Sequence, residues 1–66
     1  MNYEELMACM NATAKELIAN KTITHDTSYG ELKTIFRQQI SDDANDIFVA
    51  MFFNICTEEL GEFYGN

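Results

Sequence analysis

The side chains that could support catalysis or metal binding are few and scattered in this sequence. His25 is the only histidine, and Asp26 follows it in a threonine-rich stretch, which is typical of a turn. Catalysis by histidine needs a nucleophile and an orienting group placed by the fold, and the thiols of Cys9 and Cys56 are distant in sequence. These three side chains also match no zinc-finger spacing. We therefore expect small buried hydrophobic residues at both cysteines, and no enzymatic activity, cofactor or metal ion.

The carboxylates of the C-terminal third form two groups of three. The groups are Asp42, Asp43 and Asp46, and then Glu58, Glu59 and Glu62. The first group resembles half a calcium-binding loop, but the turn glycine and the closing glutamate are missing. It is better placed as the start of a helix, where the helix dipole favours anions. The second group follows at the end where the dipole disfavours anions by roughly 0.3–1 kcal/mol each.

Between the two groups lies the most apolar stretch of the chain, residues 47–56, in which only Asn54 is polar. On a helix that advances 100° per residue, its side chains fall on two opposite sides. The first side, called the Ile47 face, comprises Ala44, Ile47, Met51 and Ile55, with Phe48 and Phe52 at its edge. The second side, called the Val49 face, comprises Val49, Phe53, Cys56 and Leu60. The spacing of the Val49 face is typical of a coiled-coil seam.

The two faces are predicted to have different partners. The Ile47 face matches the apolar sides of two earlier helices, so we expect it to pack in the core. Two helices readily cover only one side of a third. Either the third helix is enclosed within the chain, where Phe63 and Tyr64 can cover part of the Val49 face, or that face meets another protein or a second copy of the chain. With both carboxylate groups beside it, the Val49 face is the predicted partner-binding surface.

Capping signals predict where three helices begin. Asn2, followed by Glu5, starts a helix over about residues 3–19, whose apolar stripe runs from Tyr3 to Ile18. Ser28, followed by Glu31, starts a second over about 29–40. Ser41 is the predicted cap of the third, over about 42–60, which ends at Gly61. The sequence thus predicts an all-α, single acidic domain over residues 1–66, with the third helix central and Ile23 anchoring the loop between the first two.

Charge and composition narrow the classes of function. The chain has 66 residues and a formal net charge of −7, and residues 41–66 hold six carboxylates and no lysine or arginine. Such a surface repels phosphate, so we expect no direct nucleic-acid binding, although Lys33 and Arg37 lie four apart on the second helix. The apolar run is shorter than the roughly 20 residues that span a bilayer. Without an export signal, the expected location is the cytoplasm, with reduced thiols.

The resulting hypothesis is a small acidic protein-binding module that inhibits or regulates a basic, nucleic-acid-handling partner. In size and acidity the chain resembles the small inhibitors that bacteriophages and mobile elements encode against host defence, including anti-CRISPR proteins. The resemblance is one of class and is carried by no motif. The alternative is a homodimeric structural or regulatory protein whose Val49 face pairs across a two-fold axis.

Overall fold

A computed structural model describes residues 2–62, and three α-helices account for most of them. The helices are α1 (Tyr3–Ala19), α2 (Tyr29–Gln39) and α3 (Asp46–Leu60). Helix α3 contacts both α1 and α2, which makes it the central element. The predicted all-α class, the number of helices and the central position of the third are therefore confirmed. None of the helices within residues 2–62 is long and apolar enough to cross a membrane.

The first two helices begin at the predicted caps. The Asn2 side-chain oxygen accepts a hydrogen bond from the backbone N–H of Glu5 at 2.8 Å. At the start of α2, the Ser28 hydroxyl oxygen accepts from the N–H of Glu31 at 3.1 Å. Both bonds satisfy donors of the first turn that have no partner within the helix, which is why these side chains define the helix starts.

Helix α3 begins four residues later than predicted, because Asn45 and not Ser41 is its cap. The Asn45 side-chain oxygen accepts from the N–H of Phe48 at 3.0 Å. The Ser41 hydroxyl instead accepts from the N–H of Asp43 at 3.2 Å, a local turn that competes with helix formation. The helix ends at Gly61 as predicted, and the φ of 97° there favours glycine.

The core is a continuous cluster to which all three helices and one loop contribute. Its buried hydrophobic members are Leu6, Met10, Ala14, Leu17, Ile23, Leu32, Phe36, Ile40, Val49, Phe52 and Cys56. Ile23, at 1% exposure, anchors the loop between α1 and α2 as predicted. Tyr3 differs from the predicted apolar stripe of α1, since 62% of it is exposed. It lies in the first turn of α1, and the buried stripe begins only at Leu6.

The side of α3 that faces the core is rotated away from the predicted Ile47 face. Phe52, at the edge of that face, is fully buried, and Met51 and Ile55 are partly buried against the core. Val49 and Cys56, both of the Val49 face, have no exposed surface, whereas Ile47 is 72% exposed. Aromatic contacts fix this rotation: the rings of Phe36 and Phe52 pack edge-on with centroids 6.0 Å apart. Tyr29 of α2 likewise meets Phe53 of the Val49 face at 5.7 Å. The Val49 face therefore packs inside this chain, where α2 supplies the partner rings.

Candidate protein-binding surface

The two predicted carboxylate groups are exposed, but the fold places them far apart. Asp42 and Asp43 lie in the segment before α3, and Asp46 is the first residue of the helix. The second group lies in the last turn and just beyond Gly61. The 15 residues of α3 separate the groups by about 22 Å, at about 1.5 Å of rise per residue.

The apolar strip expected between these groups is not available as a surface. Val49 and Cys56 are fully buried, and Phe53 and Leu60 are partly buried against the core. Val49 and Cys56 therefore offer no surface to a partner or a second copy in this fold, and Phe53 and Leu60 offer only part of theirs. Its third predicted cover, Phe63 and Tyr64, lies outside the described residues.

Exposed apolar surface is found instead at the N-terminal ends of α1 and α3. An open cleft of about 270 Å³, called the N-terminal cleft, lies between them. Its lining residues are Asn2, Tyr3, Leu6, Ser41, Asp43 and Phe48. Tyr3 and Ile47, which precedes Phe48, are the most exposed large apolar side chains within residues 2–62. Large apolar side chains with this much exposure beside a concave surface are a feature of interaction sites.

The polar atoms of the N-terminal cleft differ in their availability. The side-chain oxygens of Asn2 and Ser41 already accept backbone hydrogen bonds within their own turns. The carboxylate of Asp43 is exposed and forms no ion pair within residues 2–62. Asp43 is therefore the lining side chain best able to bind a cation from outside the chain.

Negative charge dominates the two segments that form the N-terminal cleft. Residues 2–6 and 41–48 contain no lysine, arginine or histidine. Their carboxylates are Glu4, Glu5, Asp42, Asp43 and Asp46. The single ion pair found within residues 2–62 joins Lys33 Nζ to Asp46 Oδ1 at 3.6 Å, and 87% of the Asp46 side chain remains exposed. Like charges around a concave apolar surface concentrate the field there and attract cationic groups.

The two thiols and the histidine are held by burial or by contacts within the fold. Burial, with a smaller contribution from the Glu59 carboxylate, raises the pKa of Cys56 from 9.0 to about 12, so its thiol is protonated at neutral pH. Cys9 is partly exposed, with its Sγ 3.9 Å from the Thr13 hydroxyl. His25 Nδ1 lies 2.6 Å from the backbone carbonyl oxygen of Glu62, an acceptor, so Nδ1 carries the proton and donates. This bond ties the α1–α2 loop to the segment after α3.

Residues 2–62 contain no group of three or more His, Cys, Asp and Glu side chains arranged to hold a metal ion. The loop around His25 is the predicted turn, in which the N–H of Thr27 donates to the carbonyl oxygen of Thr24 at 3.1 Å. The N-terminal cleft is the candidate site because exposed apolar side chains and the Asp43 carboxylate lie together there.

Of the predicted partner-binding residues, Asp43 lines the N-terminal cleft, and Asp42 and Asp46 belong to the segment beside it. Sequence reasoning missed Tyr3 and Ile47. Asn45 is the sequence signal that could have indicated this site, because asparagine is a preferred helix cap. A cap at Asn45 leaves residues 41–44 outside α3, where they form one wall of the N-terminal cleft. Comparison with known proteins found no matching family model, no matching curated protein and no matching solved structure.

Proposed function

We propose that this protein is an acidic protein-binding module that docks on a basic, nucleic-acid-handling protein and inhibits or regulates it. The observation that supports this function is the N-terminal cleft, where exposed Tyr3 and Ile47 lie beside carboxylates, of which only Asp46 forms an ion pair within residues 2–62. The charges steer a basic partner and determine which partners are rejected. Burial of the apolar side chains supplies affinity that charge alone does not provide.

A partner that handles nucleic acid is favoured by the sign and density of the charge. Proteins that bind nucleic acid do so largely through lysine and arginine that contact phosphates. A chain of 66 residues with a net charge of −7 presents a compact acidic surface to the same side chains. Occupation of that surface would exclude the nucleic acid, which is the mode of action expected of a small phage-type inhibitor.

Affinity capture followed by a competition assay tests this function. The tagged protein is incubated with a bacterial lysate beside a control that carries Asn or Gln at all six carboxylates of residues 41–66. Each captured protein is purified, and its binding to fluorescent duplex DNA is measured while the acidic protein is added. We expect the wild type to displace the DNA, and we expect capture to weaken by at least tenfold between about 0.05 M and about 0.2 M salt, since several charges are paired.

The control isolates charge from shape. The six substituted side chains are exposed, so the variant retains the core and should keep the helical circular dichroism spectrum of the wild type. Its formal net charge falls from −7 to −1. Equal capture by wild type and control, or captured proteins whose DNA binding is unaffected, would refute the proposed function.

A further inference from the structure

The N-terminal cleft also indicates what part of a partner it accepts. Resting on the proposed function, we propose that it binds one large apolar side chain from a lysine- or arginine-rich segment of the partner. The apolar side chain contacts Tyr3, Leu6 and Phe48, and a flanking cation pairs with Asp43.

The size and lining of the cleft favour a single side chain. Its volume of about 270 Å³ is below the roughly 300–1,000 Å³ of pockets that enclose small-molecule ligands. Leu6 is 6% exposed and forms the floor, whereas Phe48 is partly buried and Tyr3 is mostly exposed. An inserted apolar group therefore meets a buried base and two aromatic side chains, an arrangement typical of binding hot spots.

Charge selects the residues that flank the inserted side chain. Both segments of the cleft bear carboxylates and no cations, and Asp43 lies on the lining itself. A basic segment gains from these carboxylates, whereas nucleic acid is repelled by them. A second copy of this chain is also disfavoured, because it would bring another net charge of −7 against the same surface.

Two peptides that differ at one position test the inserted side chain. The first has the sequence Gly-Lys-Lys-Phe-Lys-Lys-Gly, and the second has alanine in place of phenylalanine, both with blocked termini. Each is titrated into ¹⁵N-labelled protein at about 0.1 M salt, where the screening length is about 10 Å, and amide shifts are recorded. We expect shifts centred on residues 2–7 and 41–48, and about tenfold tighter binding of the phenylalanine peptide, since an aromatic ring adds buried apolar area.

Three variants test the two halves of the contact. Tyr3→Ala, at a mostly exposed position, should lower the affinity for the phenylalanine peptide about fivefold. It should leave the affinity for the alanine peptide nearly unchanged. Asp42→Asn/Asp43→Asn should lower the affinity for both peptides severalfold. The matched control Glu58→Gln/Glu59→Gln lies at the far end of α3 and makes the same change in net charge, from −7 to −5. It should change either affinity less than twofold, because screened charges act locally.

The results separate this inference from the proposed function. Equal binding of the two peptides, equal effects of the two carboxylate pairs, or shifts in the cleft that grow with protein concentration alone would overturn the inference. The wild type can displace DNA from a captured partner while Tyr3→Ala and Asp42→Asn/Asp43→Asn bind that partner as tightly as the wild type does. In that case the proposed function holds and the cleft assignment fails. If the peptide fills the cleft but no partner is displaced from DNA, the cleft assignment holds and the proposed function fails.

Discussion

Two cysteines that look alike in the sequence are chemically different in the fold. Cys56 is fully buried, and its pKa is raised to about 12 because burial disfavours the thiolate and the Glu59 carboxylate adds to the effect. Cys9 is partly exposed on α1. Because the thiolate is the reactive form and must be reached by the reagent, exposure and pKa together set the reactivity of each thiol.

We therefore expect one thiol of the native protein to react with an aromatic disulfide reagent at about pH 8. Cys9 should react, and Cys56 should react only after a denaturant is added. The absorbance of the released thiol group gives the count. A Cys9→Ala variant is the control and should release almost nothing while folded. Two native thiols reacting at one rate would show that Cys56 is not enclosed.

The same thiol makes stability depend on pH in alkaline solution. Well below pH 9.0 the thiol is protonated in both the folded and the unfolded state, so its contribution to stability is constant. Between pH 9.0 and about 12 the unfolded state loses the proton and the folded state keeps it, so stability falls as pH rises. The slope from this one group is at most about 1.4 kcal/mol per pH unit.

Urea unfolding of wild type and Cys56→Ala at several pH values from about 8 to about 11 measures this contribution. We expect the free energy of unfolding to fall more steeply with pH in the wild type than in Cys56→Ala. A Cys9→Ala variant should retain the steep dependence, because its buried thiol is intact. Parallel curves for wild type and Cys56→Ala would contradict the buried, neutral thiol.

At the scale of the helices, periodicity predicts burial only where apolar residues are confined to one side. The apolar stripe of α1 correctly indicated Leu6, Met10 and Leu17, which are buried. Residues 47–56 are apolar around most of the circumference of α3, and the one polar residue, Asn54, falls about 20° from Ile47, so their pattern selects a side only weakly. The side is selected by the rings of α2, which meet Phe52 and Phe53. Such contacts between helices are not encoded in the periodicity of either helix.

The rotation of α3 is tested by a matched pair of alanine substitutions. Val49→Ala removes apolar atoms from a site with no exposed surface and should lower the free energy of unfolding by about 2 kcal/mol. Ile47→Ala, at 72% exposure, should change it by less than about 0.5 kcal/mol. Both values come from urea unfolding monitored by circular dichroism. A larger loss for Ile47→Ala would restore the orientation predicted from the sequence.

The start of α3 is tested in the same way, through its two competing caps. Asn45→Ala removes the acceptor of the Phe48 N–H and should cost about 1 kcal/mol. Ser41→Ala removes only a turn within the preceding segment and should cost less than about 0.5 kcal/mol. The comparison decides the helix start, since a cap at Ser41 would reverse the order of the two losses.

At the scale of the whole molecule, the candidate site arises from segments that the sequence keeps apart. The first turn of α1 and residues 41–48 form the N-terminal cleft only because α1 packs beside α3. The uneven charge and three of the neighbouring carboxylates were predictable from composition. The cleft was not, because its apolar lining depends on where α3 begins and how it is rotated.

The inward rotation of α3 has a consequence for association. With Val49 and Cys56 enclosed, the coiled-coil seam is already used within one chain, and a net charge of −7 opposes contact between copies. We expect light scattering to give a monomer of 7.6 kDa at high micromolar concentration.

Light scattering at low and high salt separates the two causes of a monomeric state, which are burial of the seam and charge repulsion between copies. At about 1 M salt the screening length is about 3 Å, which removes most of the repulsion but leaves the seam buried. A monomer at both low and high salt therefore indicates that packing closes the seam. A dimer at low salt that persists in Ile47→Asp would contradict the enclosed seam. A dimer found only at high salt, and abolished by Ile47→Asp, would instead show that charge had prevented the exposed end of α3 from pairing with its copy.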